Sequence, residues 1–347
     1  MGRALYFECA SGISGDMTVA ALLDLGADRQ KLDQVLETVP ADGFTTVISR
    51  VKKSGIDCVD FDVRLDGAHE NHDHDMTYLY SYEDGSETMP EHGGKHKHKH
   101  KHKHKHKHHD DDCFCKCHDD HEHEYEHGHD HEHEYEHEHD HEHDHEHKHD
   151  HKHKHDHGHD HSHNHDPRHG HAHTHRHLAE VEDILDRTQM TDGARALAKR
   201  IFSILAQAEA KAHALPVEEV AFHEVGAIDS IVDIIAIAVC FDDLKISDVI
   251  VKSVTEGTGT VRCQHGVLPV PVPAVTNIAA DHRLPLHIEN VRGEFVTPTG
   301  AAFLAAVRTS GTLPERFLVV RTGLGAGKRE HALPGLLRVM LIEGNPS

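Results

Sequence analysis

Apolar residues recur at helical spacing in several parts of the chain. The stretch "MTVAALLDLGA" (17–27) predicts a buried helix that ends at Gly26, and "RQKLDQVLETV" (29–39) predicts an amphipathic helix. The mostly apolar stretch "HEVGAIDSIVDIIAIAVCFDDL" (223–244) predicts a turn that leads into a central helix. The same spacing predicts further helices in "LAEVEDILDRT" (178–188), "DGARALAKRIFSILAQAEAKAHAL" (192–215) and "TGAAFLAAVR" (299–308).

Shorter apolar or alternating stretches predict strands between these helices. "ALYFECA" (4–10) is a short apolar run, and "FTTVISRVKKSGIDCVDFDVRL" (44–65) predicts two strands joined at "KSG". The strands and helices mix without a regular βαβ order, which predicts an α/β or α+β fold of mixed sheets with packed helices. Later strands are predicted in "DVIVKSVT" (248–255), "FLVVRTG" (317–323) and "LLRVMLIEG" (336–344).

Histidine dominates one internal segment that has no apolar periodicity. Of the 45 histidines in the chain, 38 lie between Gly67 and Arg176, many of them alternating with charged residues. Such a composition cannot bury a core, so we expect this segment to be disordered. The sequence therefore predicts an N-terminal α/β module (1–66), a His-rich insertion (67–176) and a main α/β module (177–347) that packs on the first.

The overall composition narrows the class of protein. A formal net charge of −24 argues against nucleic acid as the main partner, because neutralising phosphates requires a basic face. No apolar run is long enough to span a bilayer, and the N-terminus lacks the apolar core of a signal peptide. Seven cysteines without framework spacing indicate reduced thiols. We expect a cytoplasmic protein, and a homo-oligomer, with neither nucleic acid nor membrane as partner.

The alternating histidines have the chemistry of a transition-metal binder. Neutral imidazole suits zinc, copper and nickel, and the neighbouring carboxylates lower the cost of gathering a dication. The tract could equally be a solvated segment or a buffer without a specific role. A catalytic role is disfavoured, because catalytic sites need fixed ligands. Representative ligands of the tract are His141, His143, His145 and His147.

The stretch "CASGISGDM" (9–17) predicts an anion site where a helix begins. Its small residues permit a tight turn, and free N–H groups at a helix N-terminus attract anions. Asp16 could instead cap the helix, or bind a hard cation beside a phosphate. The predicted anion-binding residues are Ser11, Gly12, Ser14 and Gly15.

The stretch "FHEVGAIDSIVDI" (222–234) combines a polar turn with two carboxylates on an apolar helix. His223 and Glu224 lie in the turn, and Asp229 and Asp233 are four residues apart, which places them on one helix face. Buried carboxylates are costly unless they bind a metal or a cation. In the alternative interpretation, Asp229 caps the helix and Asp233 faces solvent.

Two further stretches carry weaker signals. In "RCQHGVLPVPVPA" (262–274), Cys263 and His265 could share a soft metal, although an ordinary buried cysteine explains the pattern about as well. In "VTPTGAA" (296–302), a strand meets a helix at Thr297, Thr299 and Gly300, which predicts a second anion seat. The glycine-rich "TGLGAGKRE" (322–330) lacks the spacing of a phosphate-binding P-loop, so we expect only a loop that could touch phosphate.

These stretches, in this order and with a His-rich insertion between the first and second, resemble the LarC family. The matching text is "LYFECASGISGDM", "FHEVGAIDSIVDI", "CQHGVLPVPVPA", "GEFVTPTGAA" and "GLGAGKREHALPGLLRVMLIEG". The resemblance implies insertion of Ni(II) into pyridinium-3,5-bisthiocarboxylic acid mononucleotide, a lyase-class reaction that forms one carbon–nickel and two sulfur–nickel bonds. It further implies CTP and Mn(II) or Mg(II) as cofactors, and a product that serves lactate racemase and related enzymes.

The chain departs from the family pattern in two places. Glu8 stands where family members usually carry Asp, and the chain ends at Ser347, before a C-terminal domain that the resemblance associates with CTP. A separate C-terminal LarC chain is therefore an expected partner, beside the thiolated mononucleotide. Two alternatives stay open: a nickel or zinc storage protein or metallochaperone without enzymatic activity, and the N-terminal subunit of a split insertase.

The motifs and the resemblance together lead to a mechanistic hypothesis. The loop at Ser11–Gly15 and the turn at Thr297–Gly300 hold the anionic ends of the substrate. A second group binds nickel and accepts the ring proton that is lost as the carbon–nickel bond forms. The predicted catalytic residues are His223, Glu224, Asp16 and Asp229, and the predicted metal ligands outside the tract are His223, Glu224, Asp233, Cys263 and His265.

Overall fold

The structure is a computed structural model that describes residues 2–66, 76–80, 176–222, 226–330 and 332–344. Most of the predicted His-rich insertion, including His141, His143, His145 and His147, lies outside these residues, and so do His223 and Glu224. No helix in the described ranges is both long enough and apolar enough to cross a membrane.

The described strands alternate irregularly with the helices along the chain. Strands β2 and β3 are joined by a tight turn in which Ser54 and Gly55 both have positive φ, of 51° and 81°. The strands are β1 (Arg3–Cys9), β2 (Phe44–Lys53), β3 (Ile56–Leu65), β4 (Arg176–His177), β5 (Ala221–Phe222), β6 (Val249–Thr258), β7 (Thr260–Cys263), β8 (Gly266–Pro269), β9 (Leu286–Arg292), β10 (Phe317–Ala326) and β11 (Leu336–Gly344).

The described helices include two that are apolar around almost their whole circumference. The first of these, α1, ends where the N–H of Gly26 bonds back to Leu22 and Leu23 with φ of 116°, a left-handed C-cap that suits glycine. The helices are α1 (Gly15–Leu25), α2 (Arg29–Leu36), α3 (Met76–Tyr80), α4 (Leu178–Arg187), α5 (Asp192–His213), α6 (Ile228–Leu244), α7 (Pro273–His282) and α8 (Pro298–Val307).

Seven of the strands form one mixed sheet in the order β2-β3-β10-β11-β1-β6-β9. The pairs β1–β6, β6–β9 and β3–β10 are parallel, whereas β1–β11, β10–β11 and β2–β3 are antiparallel. Strands from before residue 67 and after residue 176 therefore alternate within a single sheet. Two short ladders, β4–β5 and β7–β8, lie outside it.

The hydrophobic core lies between this sheet and the helices. Helix α1 packs against β3, β10 and β11 on one side and against α6 on the other, while α5 packs against α6, α7 and α8. Fully buried aromatic rings anchor both layers: Phe7 of β1 meets Phe303 of α8 edge to face at 5.4 Å. Because α1 and α6 are buried on nearly all faces, they take up the centre of the molecule.

The mixed α/β fold predicted from the apolar pattern is confirmed. Each predicted helix and strand is present, although α1 begins two residues before the predicted stretch and α2 ends at Leu36. The pattern missed two helices, α3 and α7, and five strands, β4, β5, β7, β8 and β9. The stretch that carries Cys263 and His265 forms a hairpin, with φ of 92° at Gly266, and then enters α7.

Candidate functional site

A cavity of about 260 Å³ opens where helix ends from distant parts of the sequence meet. Its size is near the lower end of small-molecule sites, roughly 300–1,000 Å³. It is lined by the N-terminal turns of α1, α6, α7 and α8, by the C-terminal end of α5 and by the β7–β8 hairpin. The sequence-predicted residues that line it are Ser14, Gly15, Asp16, Asp229, Asp233, Cys263, His265, Thr297 and Thr299.

Four helices point their N-terminal ends into this one cavity. The lining residues at these ends include Gly15 of α1, Asp229 of α6, Pro273 of α7 and Thr299 of α8. Helix N-termini carry a partial positive charge, which favours anions. Two of the N–H groups at these ends are already bonded, that of Met17 to Asp16 and that of Gly300 to Thr297. The arrangement can therefore seat a negatively charged small molecule.

The start of α1 is tied to the segment before α8. The N–H of Ile13 donates to the Phe295 carbonyl at 2.9 Å, and the N–H of Thr297 donates to the Ile13 carbonyl at 3.1 Å. Gly12, with φ of 82°, lies so close to the Phe295 carbonyl that a Cβ atom would clash there. This short pairing holds the N-termini of α1 and α8 side by side.

Three carboxyl groups gather where α1 and α6 approach each other. Asp16 is buried, and its Oδ1 accepts from the Ser14 hydroxyl and from the N–H of Met17 at 2.8 Å. Asp229 and Asp233 reach the same cavity from successive turns of α6. Burial, followed by repulsion from Asp16 and Asp229, raises the pKa of Asp233 well above its ordinary value.

Lys328 supplies the positive charge nearest to these carboxylates. It lies in the loop after β10 and pairs with Asp62 of β3, with both side chains largely buried. Burial alone would lower the pKa of Lys328, but Asp16 and Asp62 more than offset that effect, so its pKa is raised. The ammonium group therefore stays charged beside the acidic group and can bind a further anion.

A second ion pair and a buried glutamate fix the opposite wall. Arg329 pairs with Glu294, and both line the cavity. Behind them, the fully buried Glu256 accepts from the N–H groups of Phe295 at 2.7 Å and Val296 at 3.3 Å through the single oxygen Oε1. Burial raises the pKa of Glu256 to about 7. Glu256 therefore positions the segment that pairs with Ile13.

Soft metal ligands collect at the mouth of the cavity. Cys263 ends β7 and His265 lies in the turn that follows it, with 3.9 Å between Sγ and Nδ1. The His213 ring, at the end of α5, stacks on the His265 ring with 4.8 Å between ring centroids. Glu209, one turn earlier on α5, places its Oε2 3.6 Å from Nε2 of His213.

The short helix α3 closes one side of the cavity. Leu79 lines it, the Tyr78 ring lies 5.8 Å from the Arg262 guanidinium carbon, and the Tyr80 hydroxyl accepts from the N–H of Glu294 at 3.1 Å. On the far side of the His-rich sequence, β4 pairs with β5, directly before His223. The described residues on both flanks of the His-rich sequence are thus held close to the predicted site residues.

The described residues contain no preformed metal-binding site. No three His, Cys, Asp or Glu side chains within the described ranges are arranged to hold a metal ion as they stand.

Comparison with known proteins matches almost the whole chain to one family. The family model described as nickel insertion protein covers residues 5–347. The chain belongs to this nickel insertion protein family. No solved structure matches the chain significantly.

Three curated relatives carry the same name, pyridinium-3,5-bisthiocarboxylic acid mononucleotide nickel insertion protein. The relative from Alkaliphilus metalliredigens is 38% identical over 99% of this chain and 62% of its own length. Those from Clostridium acetobutylicum and Acetivibrio thermocellus are 36% and 31% identical over 98% of this chain, and over 64% and 60% of theirs. This chain spans about three fifths of these relatives, which are longer single polypeptides, so a separate C-terminal chain finds no support.

Some of the predicted site residues do not line the main cavity but lie behind or beside its walls. Ser11 lines a smaller adjoining cavity with Ser14 and Asp16. Gly12 and Gly300 line neither cavity; both allow backbones to approach closely, Gly12 at Phe295 and Gly300 at the Ile13 carbonyl. The alternative in which Asp233 faces solvent is wrong, because its carboxyl group lies against the start of α1.

The sequence interpretation missed the cations and one histidine of the site. Lys328 and Arg329 belong to the glycine-rich stretch 322–330, which was predicted to be a loop. The structure corrects this prediction, since residues 322–326 complete β10 and only the residues after them leave the strand. The sequence feature that could have predicted Lys328 and Arg329 is the pair of adjacent cations directly after a strand that ends in small residues. His213 lies near the end of a predicted helix and was not singled out. The feature that could have predicted it is Glu209, four residues earlier on the same helix face.

Proposed function

We propose that this chain inserts Ni(II) into pyridinium-3,5-bisthiocarboxylic acid mononucleotide, as the names of its relatives state for those proteins. The product would be the nickel-pincer cofactor of lactate racemase-type enzymes, made in a lyase-class reaction. One observation carries the proposal. A single cavity is lined both by groups that suit anions, at the helix N-termini and Lys328, and by one thiol and two imidazoles.

The groups that suit anions can hold the phosphate of a mononucleotide. The N-termini of four helices line the cavity, and so do the cationic side chains of Lys328 and Arg329. Ser14 and Thr297 add hydroxyl groups at the starts of α1 and α8. In this proposal they hold the phosphate, so that the pyridinium ring extends towards Cys263.

Nickel enters the reaction as a substrate. Thiolate and imidazole are ligands that borderline divalent metals accept, so Cys263 and His265 hold Ni(II) until the sulfurs of the substrate replace them. His223 and Glu224 stay predicted ligands in the turn before α6. The carbon–nickel bond forms as the ring carbon releases its proton, and one carboxylate of the acidic group accepts that proton. The predicted catalytic carboxylates Asp16 and Asp229 both line the cavity and are the proposed acceptors of this proton.

CTP and Mn(II) or Mg(II) belong to the proposal through the family resemblance. Hard cations of this kind prefer carboxylate oxygens, and Asp16 and Asp229 offer such oxygens beside the helix N-termini.

The His-rich sequence is proposed to gather nickel for the cavity. Its alternating imidazoles suit that ion, and the described helix α3, immediately before most of it, lines the cavity through Leu79.

The experiment is to incubate the purified chain with the thiolated nucleotide, Ni(II), Mn(II) and CTP, and to follow the nucleotide by mass spectrometry. We expect a product whose mass has gained one nickel and lost hydrogen, and whose isotope pattern is that of nickel. Unchanged nucleotide under all of these conditions contradicts the proposed activity.

A deletion separates insertion from metal storage. Removing residues 81–175 keeps α3 and β4, which the larger deletion of 67–176 would destroy. An insertase keeps its turnover at abundant Ni(II) and loses it at scarce Ni(II). A storage protein loses most of its bound nickel and has no turnover to lose.

A further inference from the structure

The clearest set of metal ligands that the sequence did not assemble lies at the mouth of the cavity. It is formed by Cys263 and His265 of the β7–β8 hairpin together with His213 of α5. These residues come from elements about fifty positions apart in the sequence. Only the packing of the hairpin beside the end of α5 brings them together.

The three side chains must rotate before they can share an ion, since no three His, Cys, Asp or Glu side chains in the described ranges are arranged to hold one as they stand. Two ligands of a tetrahedral ion with metal–sulfur and metal–nitrogen bonds of about 2.3 and 2.1 Å lie about 3.5 Å apart. The 3.9 Å between Sγ of Cys263 and Nδ1 of His265 exceeds this by a few tenths of an ångström. The stacked rings of His213 and His265 do not yet aim their nitrogens at one point, so rotation of one ring is needed.

Glu209 gives His213 a preferred orientation. Metal-binding histidines commonly present their second ring nitrogen to a carboxylate, which fixes the ring and raises its basicity. The Glu209 carboxylate faces Nε2 of His213 at 3.6 Å, so the proposed site uses the other ring nitrogen, Nδ1, as the ligand. The nitrogen of His265 that faces Cys263 is also Nδ1.

We propose that His213, Cys263 and His265 form a transfer site for Ni(II), with Glu209 orienting His213. The inference rests on the proposed function for its purpose, since it names where nickel waits before the substrate takes it. Three protein ligands leave coordination positions open, as in metal sites that react rather than store. The sulfurs of a bound substrate can occupy these positions and draw the ion inward.

The site is tested by how well Ni(II) protects Cys263 from alkylation. A metal-bound thiolate is a poor nucleophile, so Ni(II) should slow the reaction of Cys263 with iodoacetamide about tenfold. Peptide mass spectrometry reads Cys263 separately from all other cysteines, and the test therefore works on the full chain with its His-rich sequence present. Cys9, Cys58 and Cys240 are buried and serve as internal references.

Variants assign the protection to the three ligands. His213→Asn and His265→Asn should raise the Ni(II) concentration that half-protects Cys263 at least about tenfold, and Glu209→Gln should raise it by a similar or smaller factor. The matched control is His287→Asn, because His287 is exposed on β9 and has its own carboxylate, Glu289, at 3.5 Å. That control should protect Cys263 like the wild type, and equal melting temperatures show that the variants fold.

The outcomes separate this site from the proposed function. Protection that is unchanged in both His213→Asn and Glu209→Gln, or the absence of protection in the wild type, overturns the transfer site. If the wild type still forms metallated nucleotide, the proposed function stands without it. Full protection together with no metallated nucleotide upholds the metal site and rejects insertion.

Discussion

Gly15 at the start of α1 lies against the carboxyl group of Asp233 on α6. A Cβ atom at position 15 would come within 3.0 Å of Cγ of Asp233 and closer still to its Oδ2. The contact joins two motifs that are more than two hundred residues apart in the sequence. It places the N–H groups that open α1 beside the carboxyl group with the raised pKa.

Gly15→Ala tests this contact. Alanine would favour a free helix by about 1 kcal/mol over glycine, but here its methyl group must displace the Asp233 carboxyl group. We expect a net loss of about 1–3 kcal/mol in the free energy of unfolding, and loss of nickel insertion. Urea titration measures the first effect, and Gly2→Ala, where a Cβ atom meets nothing within 4 Å, is the control. A stabilised Gly15→Ala would refute the close approach.

Asp233→Asn should raise the melting temperature at neutral pH and at the same time abolish nickel insertion. Because the pKa of Asp233 is raised in the folded state, the folded chain holds a proton that the unfolded chain releases above about pH 4. Wild-type stability therefore falls as the pH rises, and Asp233→Asn removes this loss. We expect the variant to melt higher than the wild type at pH 7, with the difference vanishing near pH 4, and to lose nickel insertion.

Asp243→Asn, on the same helix, is the control of opposite sign. Lys31 bonds to Asp243 at 2.5 Å and lowers the pKa of Asp243. This contribution to stability is present at pH 7 and is lost as the pH falls through the lowered pKa. The Asn variant should therefore melt lower than the wild type at pH 7, by a margin that shrinks in acid. Equal behaviour of the two variants would contradict the assignment of Asp233.

Lys328→Met should weaken substrate binding and the fold together. The change leaves Asp62 and its neighbouring carboxylates without their nearest cation, at a cost of roughly 2 kcal/mol. It also removes a positive charge from the cavity, so KM for the mononucleotide should rise about tenfold. Lys31→Met removes an exposed lysine that does not line the cavity, so it should change the free energy of unfolding only slightly and leave KM unchanged. An unchanged KM would contradict the proposal that Lys328 binds the phosphate of the mononucleotide.

Glu256→Gln should remove a pH dependence of the free energy of unfolding that comes from the buried carboxyl group behind the cavity wall. With its pKa raised to about 7, Glu256 keeps its proton in the fold between about pH 4.5 and 7 while the unfolded chain loses it. Wild-type stability falls across this interval and stays low above it. The glutamine variant should therefore be roughly 2–3 kcal/mol more stable than the wild type at pH 8, and the exposed Glu218→Gln should not differ. A variant less stable than the wild type at pH 8 would show that the carboxylate form supports the fold.

The fold could be predicted where local pattern decides it. The spacing of apolar residues located helices α1 and α6, because a helix face that packs on the core repeats at that spacing. Gly26 marked the end of α1, because glycine readily takes the left-handed conformation of a helix C-cap. The β7–β8 hairpin escaped prediction because most of its residues, Thr260–Pro269, are partly or fully exposed and polar side chains interrupt its apolar pattern. Its stability comes from neighbours that local sequence does not reveal.

The site could be predicted in part for the same reason. Asp229 and Asp233 share a face because a helix imposes that spacing, and Asp16 follows small residues that mark a helix start. Lys328 and His213 reach the cavity only because β10 and α5 end beside it, which depends on the order of the strands and the packing of the helices.

The central claim is that one cavity seats Ni(II) against the thiolated nucleotide. Crystals grown with both ligands, and measured at the nickel absorption edge, test it most directly through the anomalous signal of the metal. The account predicts a nickel peak inside the cavity, between the β7–β8 hairpin and the carboxylates of α1 and α6, with the nucleotide phosphate near Lys328. A nucleotide bound outside this cavity, or bound within it with no nickel peak beside it, would contradict the account.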